Sequence, residues 1–165
     1  MILEGAVWKF GDNVDTDVII PVKYTNTNDP QEFGKHCMEG IATEFSKKVR
    51  PGDIIMATLN FGCGSSREQA PISIKGAGVS CVIAKTFARI FFRNAINISL
   101  PLLECPEAVD NTDQEDDLEI DLASGKIRNI TKDMVFKVAP YPDFIRNIID
   151  AGGLIEYTKR RKAGK

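Results

Sequence analysis

The chain has 165 residues, of which 43% are hydrophobic and 27% charged; that composition forms a packed core and excludes disorder throughout. Lys plus Arg number 21 against 23 Asp plus Glu, for a formal net charge of -2, which excludes nucleic-acid binding through a general basic surface. No apolar run approaches the roughly 20 residues of a membrane-spanning helix. The start, Met1-Ile2-Leu3-Glu4-Gly5, has no basic segment followed by an apolar stretch, so a cytoplasmic location is expected.

In chain order, Ala6-Val7-Trp8-Lys9-Phe10 is a β-prone run closed by Gly11-Asp12-Asn13. Residues 12–17 crowd Asp12, Asp15 and Asp17 between apolar runs, and read either as a polar turn or as a functional loop. Val18-Ile19-Ile20 is stopped by Pro21, and residues 24–30 are polar and turn-rich. From Pro30 through Ser46 the four-residue spacing of Phe33, Cys37, Ile41 and Phe45 predicts one helix. Pro51-Gly52-Asp53 is a turn, and residues 54–59 read as a buried strand.

A glycine-rich loop follows, Asn60-Phe61-Gly62-Cys63-Gly64-Ser65-Ser66-Arg67-Glu68. Pro71 lacks an N–H, so the next regular helix is expected to start near Gln69, with residues 65–68 in the preceding turn. Residues 79–84 predict a strand, 87–97 a helix, and 101–104 a short strand. This order predicts an α/β fold with a parallel βαβ core. Residues 110–117 form an acidic connector. Leu118, Ile120 and Leu122 alternate with Glu119 and Asp121, and a turn at 123–126 precedes Ile127 and Ile130; this is a hairpin pattern. Residues 135–138 add a strand. Phe144, Ile145, Ile148 and Ile149 suit one helix face that ends at Gly152-Gly153. The basic tail, residues 159–165, is expected to be a solvated, frayed terminus.

The loop at 60–68 is the strongest candidate for chemistry. A strand-to-helix turn presents backbone N–H groups and the positive helix end to an anion. Gly62 and Gly64 permit close approach, Ser65 and Ser66 add hydroxyls, and Arg67 adds a fork suited to a carboxylate or phosphate. A capped helix start with a surface arginine is the plainer alternative. The loop lacks the third glycine of a dinucleotide site, the Gly-Lys-Ser/Thr of a P-loop, and the Gly-x-Ser-x-Gly of a nucleophile elbow. Arg89 and Arg93 share one helix face, as a second cationic pair or as a solvated edge.

The four cysteines, Cys37, Cys63, Cys81 and Cys105, stand singly, without the paired spacing of a zinc site or a disulfide framework. No metal ligand set is expected in this chain. His36 is the one histidine, so any histidine-based catalytic or metal site would have to use it. Adjacent helix positions do not share a face, and next to Cys37 it reads as an ordinary surface or boundary residue. An anion loop with no histidine base, metal cluster or cofactor motif suggests half of a shared site, the electrophile coming from a partner chain. A serine is a poor base unless its surroundings polarise it strongly.

The segment from Asn60 to Pro71 resembles the small subunits of 3-isopropylmalate dehydratases, the swivelling-domain family of the aconitase superfamily. The resemblance covers nearly the whole chain. It includes the segment from Phe10 to Pro21, Ala84-Lys85-Thr86-Phe87-Ala88-Arg89-Ile90-Phe91, Arg93-Asn94-Ala95-Ile96-Asn97 and Asp150-Ala151-Gly152-Gly153. It implies that residues 1–165 form a single swivelling β/β/α domain of the aconitase type, with the parallel βαβ core plus a C-terminal hairpin and helix. It implies a hydro-lyase subunit of leucine biosynthesis, active only with a large subunit, in a heterodimer or heterotetramer. The large subunit would hold a [4Fe-4S] cluster through three of its own cysteines, and Cys63 does not match a cluster ligand. Ser65 matches the family's catalytic base. Ser66 and Arg67 match residues that bind substrate carboxylates, and Thr16 and Asp17 match a Thr-Asp pair lining the site.

Two positions depart from the family pattern. Glu-His-Ala-Pro reads Glu68-Gln69-Ala70-Pro71, which leaves base and arginine intact. The loop after Pro21, which in the family faces the variable substituent, commonly reads Tyr-Leu-x-x; here it is Tyr24-Thr25-Asn26-Thr27. Thr25 and Asn26 are therefore expected to set substrate choice among substituted malates: isopropylmalate, 2,3-dimethylmalate, citramalate or homoaconitate. The reading from another functional class is a stand-alone module that senses a small anion through residues 62–67.

Overall fold

The computed structural model describes residues 1–163. Strand β1 (Ile2–Lys9) is followed by three short helices, α1 (Thr16–Ile19), α2 (Pro30–Lys35) and α3 (Phe45–Lys48). Then come β2 (Ile54–Ala57), α4 (Gln69–Gly76), β3 (Cys81–Ala84), α5 (Arg89–Asn97), β4 (Leu102–Glu104) and α6 (Pro106–Asn111). The C-terminal third supplies β5 (Asp117–Asp121), β6 (Lys126–Asn129), β7 (Met134–Lys137), α7 (Asp143–Ala151) and α8 (Leu154–Ala163).

All seven strands join one sheet in the order β4-β3-β2-β1-β5-β6-β7. The first half is parallel and the second antiparallel. Strand β1 is the seam: residues 2–6 pair with β5 and residues 7–9 with β2. In β2 and β3 every residue is buried, because helices or the hairpin cover both faces. Side chains alternate between two cores. Ile55, Ala57, Val82 and Ala84 face Phe33, Phe45, Ile74 and Phe91 from the helices. Ile54, Met56, Cys81 and Ile83 face Val109 of α6 and Leu118, Ile120, Ile127 and Phe136 of the hairpin strands. The predicted α/β fold, βαβ core and C-terminal hairpin are all present.

Several elements differ from the sequence reading. The helix expected from Pro30 to Ser46 is interrupted: α2 ends at Lys35 and α3 starts at Phe45. Between them Met38 takes a left-handed φ of 60°. Its N–H donates to the Ile19 carbonyl (2.7 Å), and Gly40 N–H donates to the Val18 carbonyl (3.2 Å). A Cβ at Gly40 would stand 2.7 Å from the Val18 Cα. Docking onto α1 thus overrides the helical periodicity, and Ile41 is left 52% exposed instead of joining the core. The run Val18-Ile19-Ile20 turns as a helix because the Asp15 side chain caps it, accepting from Val18 N–H at 2.8 Å. Residues 106–111, partly assigned to the acidic connector, form α6. The basic tail continues α8 as far as Ala163; Gly164 and Lys165 lie outside the described residues.

Helices α2 and α4 cross at two glycines. A Cβ at Gly34 would come 2.4 Å from the Gly76 carbonyl carbon, and one at Gly76 would come 2.0 Å from the Pro30 carbonyl oxygen. Neither approach leaves room for a methyl group, and both obstacles are backbone. Gly76→Ala is expected to destabilise the chain by about 1–3 kcal/mol, as overpacking does. Gly11, where a Cβ would meet nothing within 4 Å, is the control. Equal urea midpoints for Gly76→Ala and Gly11→Ala would disprove backbone contact at the α2–α4 crossing.

Candidate active site

The site lies beyond the carboxyl ends of the parallel strands, where loops from β1, β2 and β3 meet. Backbone bonds join them: Asn13 N–H to the Leu59 carbonyl (2.8 Å), Lys85 N–H to the Thr58 carbonyl (2.9 Å) and Phe61 N–H to the Thr86 carbonyl (3.1 Å). Side chains add to the joint. The Asp12 carboxylate accepts from the Thr58 hydroxyl and from Leu59 N–H. These two donors hold the Asp12 carboxyl below the usual range. Asn60 Nδ2 donates to Asn13 Oδ1 at 2.9 Å.

The glycine-rich loop is then laid against the start of α1. Gly62 N–H donates to the Val14 carbonyl (2.8 Å), and Thr16 N–H to the Cys63 carbonyl (2.9 Å). Gly62 sits at φ 80°, and a Cβ there would fall 2.1 Å from the Phe91 ring, so this position requires glycine on both counts. Gly64 has φ 94° and brings the backbone close to the Thr16 side chain.

Four of the expected site residues are gathered by this geometry. The Ser65 and Thr16 hydroxyl oxygens lie 3.1 Å apart. Ser65 N–H also donates to Thr16 Oγ1 at 3.2 Å. Thr16 Oγ1 thus accepts one N–H, and either hydroxyl of the pair can donate to the other. Arg67 Nη1 donates to Asp17 Oδ1 (2.6 Å), the Ile20 carbonyl (3.0 Å) and the Thr16 carbonyl (3.4 Å). Among the described residues all hydrogen bonds of this guanidinium leave from Nη1. Its Nη2 and Nε remain available to an anion. The Arg67 side chain is 15% exposed while Asp17 is 69% exposed, so the charge is held inside the rim.

Ser66 is exposed; its carbonyl accepts from Asn94 Nδ2 of α5 at 3.4 Å. Thr25 and Asn26 make no hydrogen bond to this cluster among the described residues. They follow a short 3-10 turn (Val22–Tyr24) on the chain that leaves Ile20. The Thr25 hydroxyl is already satisfied, donating to the Val22 carbonyl at 2.8 Å. Arg89 and Arg93 are exposed on α5.

The anion loop differs from its expected form in one respect. Helix α4 begins at Gln69, past the serines, as the position of Pro71 predicts, but the Gly62 and Ser65 amides are used within the protein. Positive charge at the site comes from Arg67. The sequence reading did not single out Asn94 or Asp15 as individual site-building residues. The aspartate just ahead of an apolar run is a capping signal; the Asn94 contact spans 28 residues and carries no local signature.

The environment raises the cysteine thiols. Burial pushes the Cys37 thiol up to about 12 and raises Cys81 further. Cys63, half-buried in the loop, is raised by burial and then by the Asp15 charge. Among the described residues no three His, Cys, Asp or Glu side chains are grouped to hold a metal ion. Among the described residues no helix is long and apolar enough to cross a membrane.

Known proteins resemble this chain over nearly its whole length. The aconitase C-terminal domain family matches residues 42–108. A 3-isopropylmalate dehydratase small subunit from Caldicellulosiruptor saccharolyticus is 60% identical over 159 residues, covering 96% of this chain and 92% of the relative. A 2,3-dimethylmalate dehydratase small subunit from Eubacterium barkeri is 59% identical over 157 residues, covering 95% and 96%. The crystal structure of a 3-isopropylmalate dehydratase from Methanocaldococcus jannaschii superposes with a TM-score of 0.94 at 50% identity, over 99% of this chain and 96% of that one. With full-length similarity at these levels and the same fold, the chain belongs to the family of dehydratase small subunits built on the aconitase C-terminal domain.

Proposed function

We propose that this chain is the small subunit of a two-subunit hydro-lyase that dehydrates and rehydrates a substituted malate, interconverting 2- and 3-isopropylmalate. The observation that carries the reading is the pairing of the Ser65 and Thr16 hydroxyls at 3.1 Å beside a guanidinium pinned by three protein oxygens. Together they make a base and an anion clamp on one rim.

In this reading Ser65 Oγ, as the alkoxide, takes the proton next to a substrate carboxylate while the substrate hydroxyl departs, and water is then added back in the other regiochemistry. The Thr16 hydroxyl donates to the oxygen that accepts the substrate proton, and Arg67 adds positive charge nearby. The open Nη2 and Nε edge of Arg67 binds a substrate carboxylate, with Ser66 beside it. Asp17 keeps the guanidinium in place through Nη1.

The elimination also needs help at the leaving hydroxyl, and this chain's cysteines do not fit an iron–sulfur cluster. Cys37 lies in the core on one side of the sheet, Cys81 and Cys105 on the other, and Cys63 in the loop. The proposed source is a [4Fe-4S] cluster of the large subunit, which supplies Lewis-acid polarisation of that hydroxyl. Leu59 in the loop after β2 and Ile90 in the first turn of α5, both large apolar side chains, are 47% and 54% exposed; they support a partner surface there. The whole chain is proposed to act as one domain against that partner.

A second substrate, 2,3-dimethylmalate, is kept by two observations. The Eubacterium barkeri relative is as similar as those named for isopropylmalate. Position 25 offers a threonine where the family commonly has leucine.

Ser65 is exposed and its side chain supports no core packing. Ser65→Ala is therefore expected to leave folding and assembly intact while lowering kcat of the reconstituted complex by about 100-fold or more, the range of a lost general base. A kcat within a few-fold of wild type would remove Ser65 as the base. Thr25→Leu is expected to raise kcat/KM for isopropylmalate over 2,3-dimethylmalate by about 10-fold, the scale of a few apolar contacts. An unchanged ratio would place substituent recognition outside this loop.

A further inference from the structure

The loop that carries Thr25 and Asn26 has little of its own to hold it. Within residues 22–28 the backbone bonds are local, Tyr24 N–H to the Pro21 carbonyl and Thr25 N–H to the Val22 carbonyl, both 3.0 Å. Apart from Thr27 Oγ1, which accepts from Asp29 N–H at 3.1 Å just ahead of α2, among the described residues every polar side-chain contact from this segment to another element ends on one residue, Glu39. The Tyr24 hydroxyl donates to Glu39 Oε1 at 2.6 Å, and Lys23 Nζ lies 3.8 Å from the same oxygen. The other oxygen, Oε2, is held at 2.7 Å by His36 Nδ1. A carboxylate only accepts, so Nδ1 carries the proton. The His36 ring also stacks on Tyr24, with centroids 3.6 Å apart and planes within 5°. Lys23 caps the far side of the assembly, 4.6 Å from the Tyr24 ring centre.

Glu39 is itself fixed to the catalytic side of the molecule. It lies between Met38 and Gly40, whose N–H groups bind the Ile19 and Val18 carbonyls. The segment of α1 so gripped also carries Thr16 and Asp17. One turn therefore holds α1 through its backbone and the 22–28 loop through one side chain. The Tyr24 hydroxyl, and after it the His36 ring, keep the Glu39 carboxyl below the usual range, so the acceptor stays ionised.

We propose that Glu39 is the positioning residue for substrate discrimination: oriented by His36, it holds Tyr24 and so fixes Thr25 and Asn26 relative to Ser65 and Arg67. This rests on the reading that residues 25 and 26 meet the variable substituent of the malate. It gives the single histidine a task outside proton transfer to substrate.

The test uses the full chain, free and reconstituted with the large subunit. The variants are Glu39→Ala, Glu39→Gln and Tyr24→Phe, with Thr25→Leu as the check on the underlying reading. In the free chain, amide hydrogen exchange at residues 22–28 should quicken in Glu39→Ala and Tyr24→Phe, with β2 and β3 unchanged. Glu39→Gln should restore protection, because glutamine keeps an acceptor for Tyr24 and can donate to the other tautomer of His36. In the complex, Glu39→Ala and Tyr24→Phe should shrink the kcat/KM ratio between isopropylmalate and 2,3-dimethylmalate by about 5–10-fold, within the range of apolar discrimination. The change should fall in KM, with kcat held within about twofold, because the base and Arg67 are untouched.

Unchanged exchange in Glu39→Ala and Tyr24→Phe overturns the proposal. Faster exchange with an unchanged substrate ratio also overturns it if Thr25→Leu moves the ratio, since the loop then reads the substituent without the tether. If Thr25→Leu moves nothing either, the reading of residues 25 and 26 fails and the proposal falls with it. Should Glu39→Ala unfold, Tyr24→Phe, which keeps the stacked ring, decides on the same two measurements.

Discussion

Arg67 spans two loops that leave different strands, and the site exists because it does. The guanidinium comes from the loop after β2, while its acceptors, the Thr16 and Ile20 carbonyls and the Asp17 carboxylate, come from the loop after β1. A rigid fork with several donors can hold three oxygens at once from a single nitrogen. Because α1 is only four residues long, it has little cooperative stability of its own. What keeps it in place is the Asp15 cap, the Met38 and Gly40 amides, and this guanidinium. Removing the arginine would free the α1 carbonyls as well as the anion site, so stability and recognition are linked in one side chain.

The same arrangement explains how the site carries positive charge without relying on a helix dipole. A helix N-terminus favours anions through amides left unpaired in its first turn. Here the serines precede the helix, and the Ser65 amide is turned inward onto the Thr16 hydroxyl. That inward turn orients the hydroxyl pair. The loop exchanges one anion-binding amide for a fixed position of the Thr16 hydroxyl beside Ser65, which is useful to a base and of no use to a simple anion sensor. This geometric feature favours the enzyme-subunit reading over a stand-alone binding module.

Much of this was legible in the sequence wherever the cause was local. Pro71 set the start of α4 at Gln69, because proline belongs in the first turn of a helix. Continuous apolar runs at 54–57 and 81–84 signalled strands covered on both faces. The motif from Asn60 to Pro71 identified the loop. What escaped was decided by distant partners. The four-residue spacing of Phe33, Cys37, Ile41 and Phe45 is a valid helical signal, and it lost to two backbone bonds onto α1, 19 and 22 residues upstream. The Ser65–Thr16 pair spans 49 residues and the Arg67–Asp17 pair 50; the resemblance named these residues, but nothing local could bring them together. His36 read as a boundary residue, and its position on the boundary is what lets its ring meet Tyr24 and its nitrogen meet Glu39.

The exposure of the site bears on why the proposed chemistry needs two bodies. Ser65 and Ser66 stand open to solvent in this chain. In water a serine hydroxyl is far too weak an acid to exist as a base at neutral pH, and a charge a few ångströms away changes that little, because the field is screened. The same charge acts far more strongly once water is excluded. On the proposed reading, a large subunit that covers this rim does more than deliver an electrophile. It lowers the local dielectric around a hydroxyl pair and a guanidinium that are already aligned, so their electrostatic effect appears only in the complex. An isolated chain would then hold every residue in place and still be inactive, because its residues lack a dry environment as much as they lack a reactive partner.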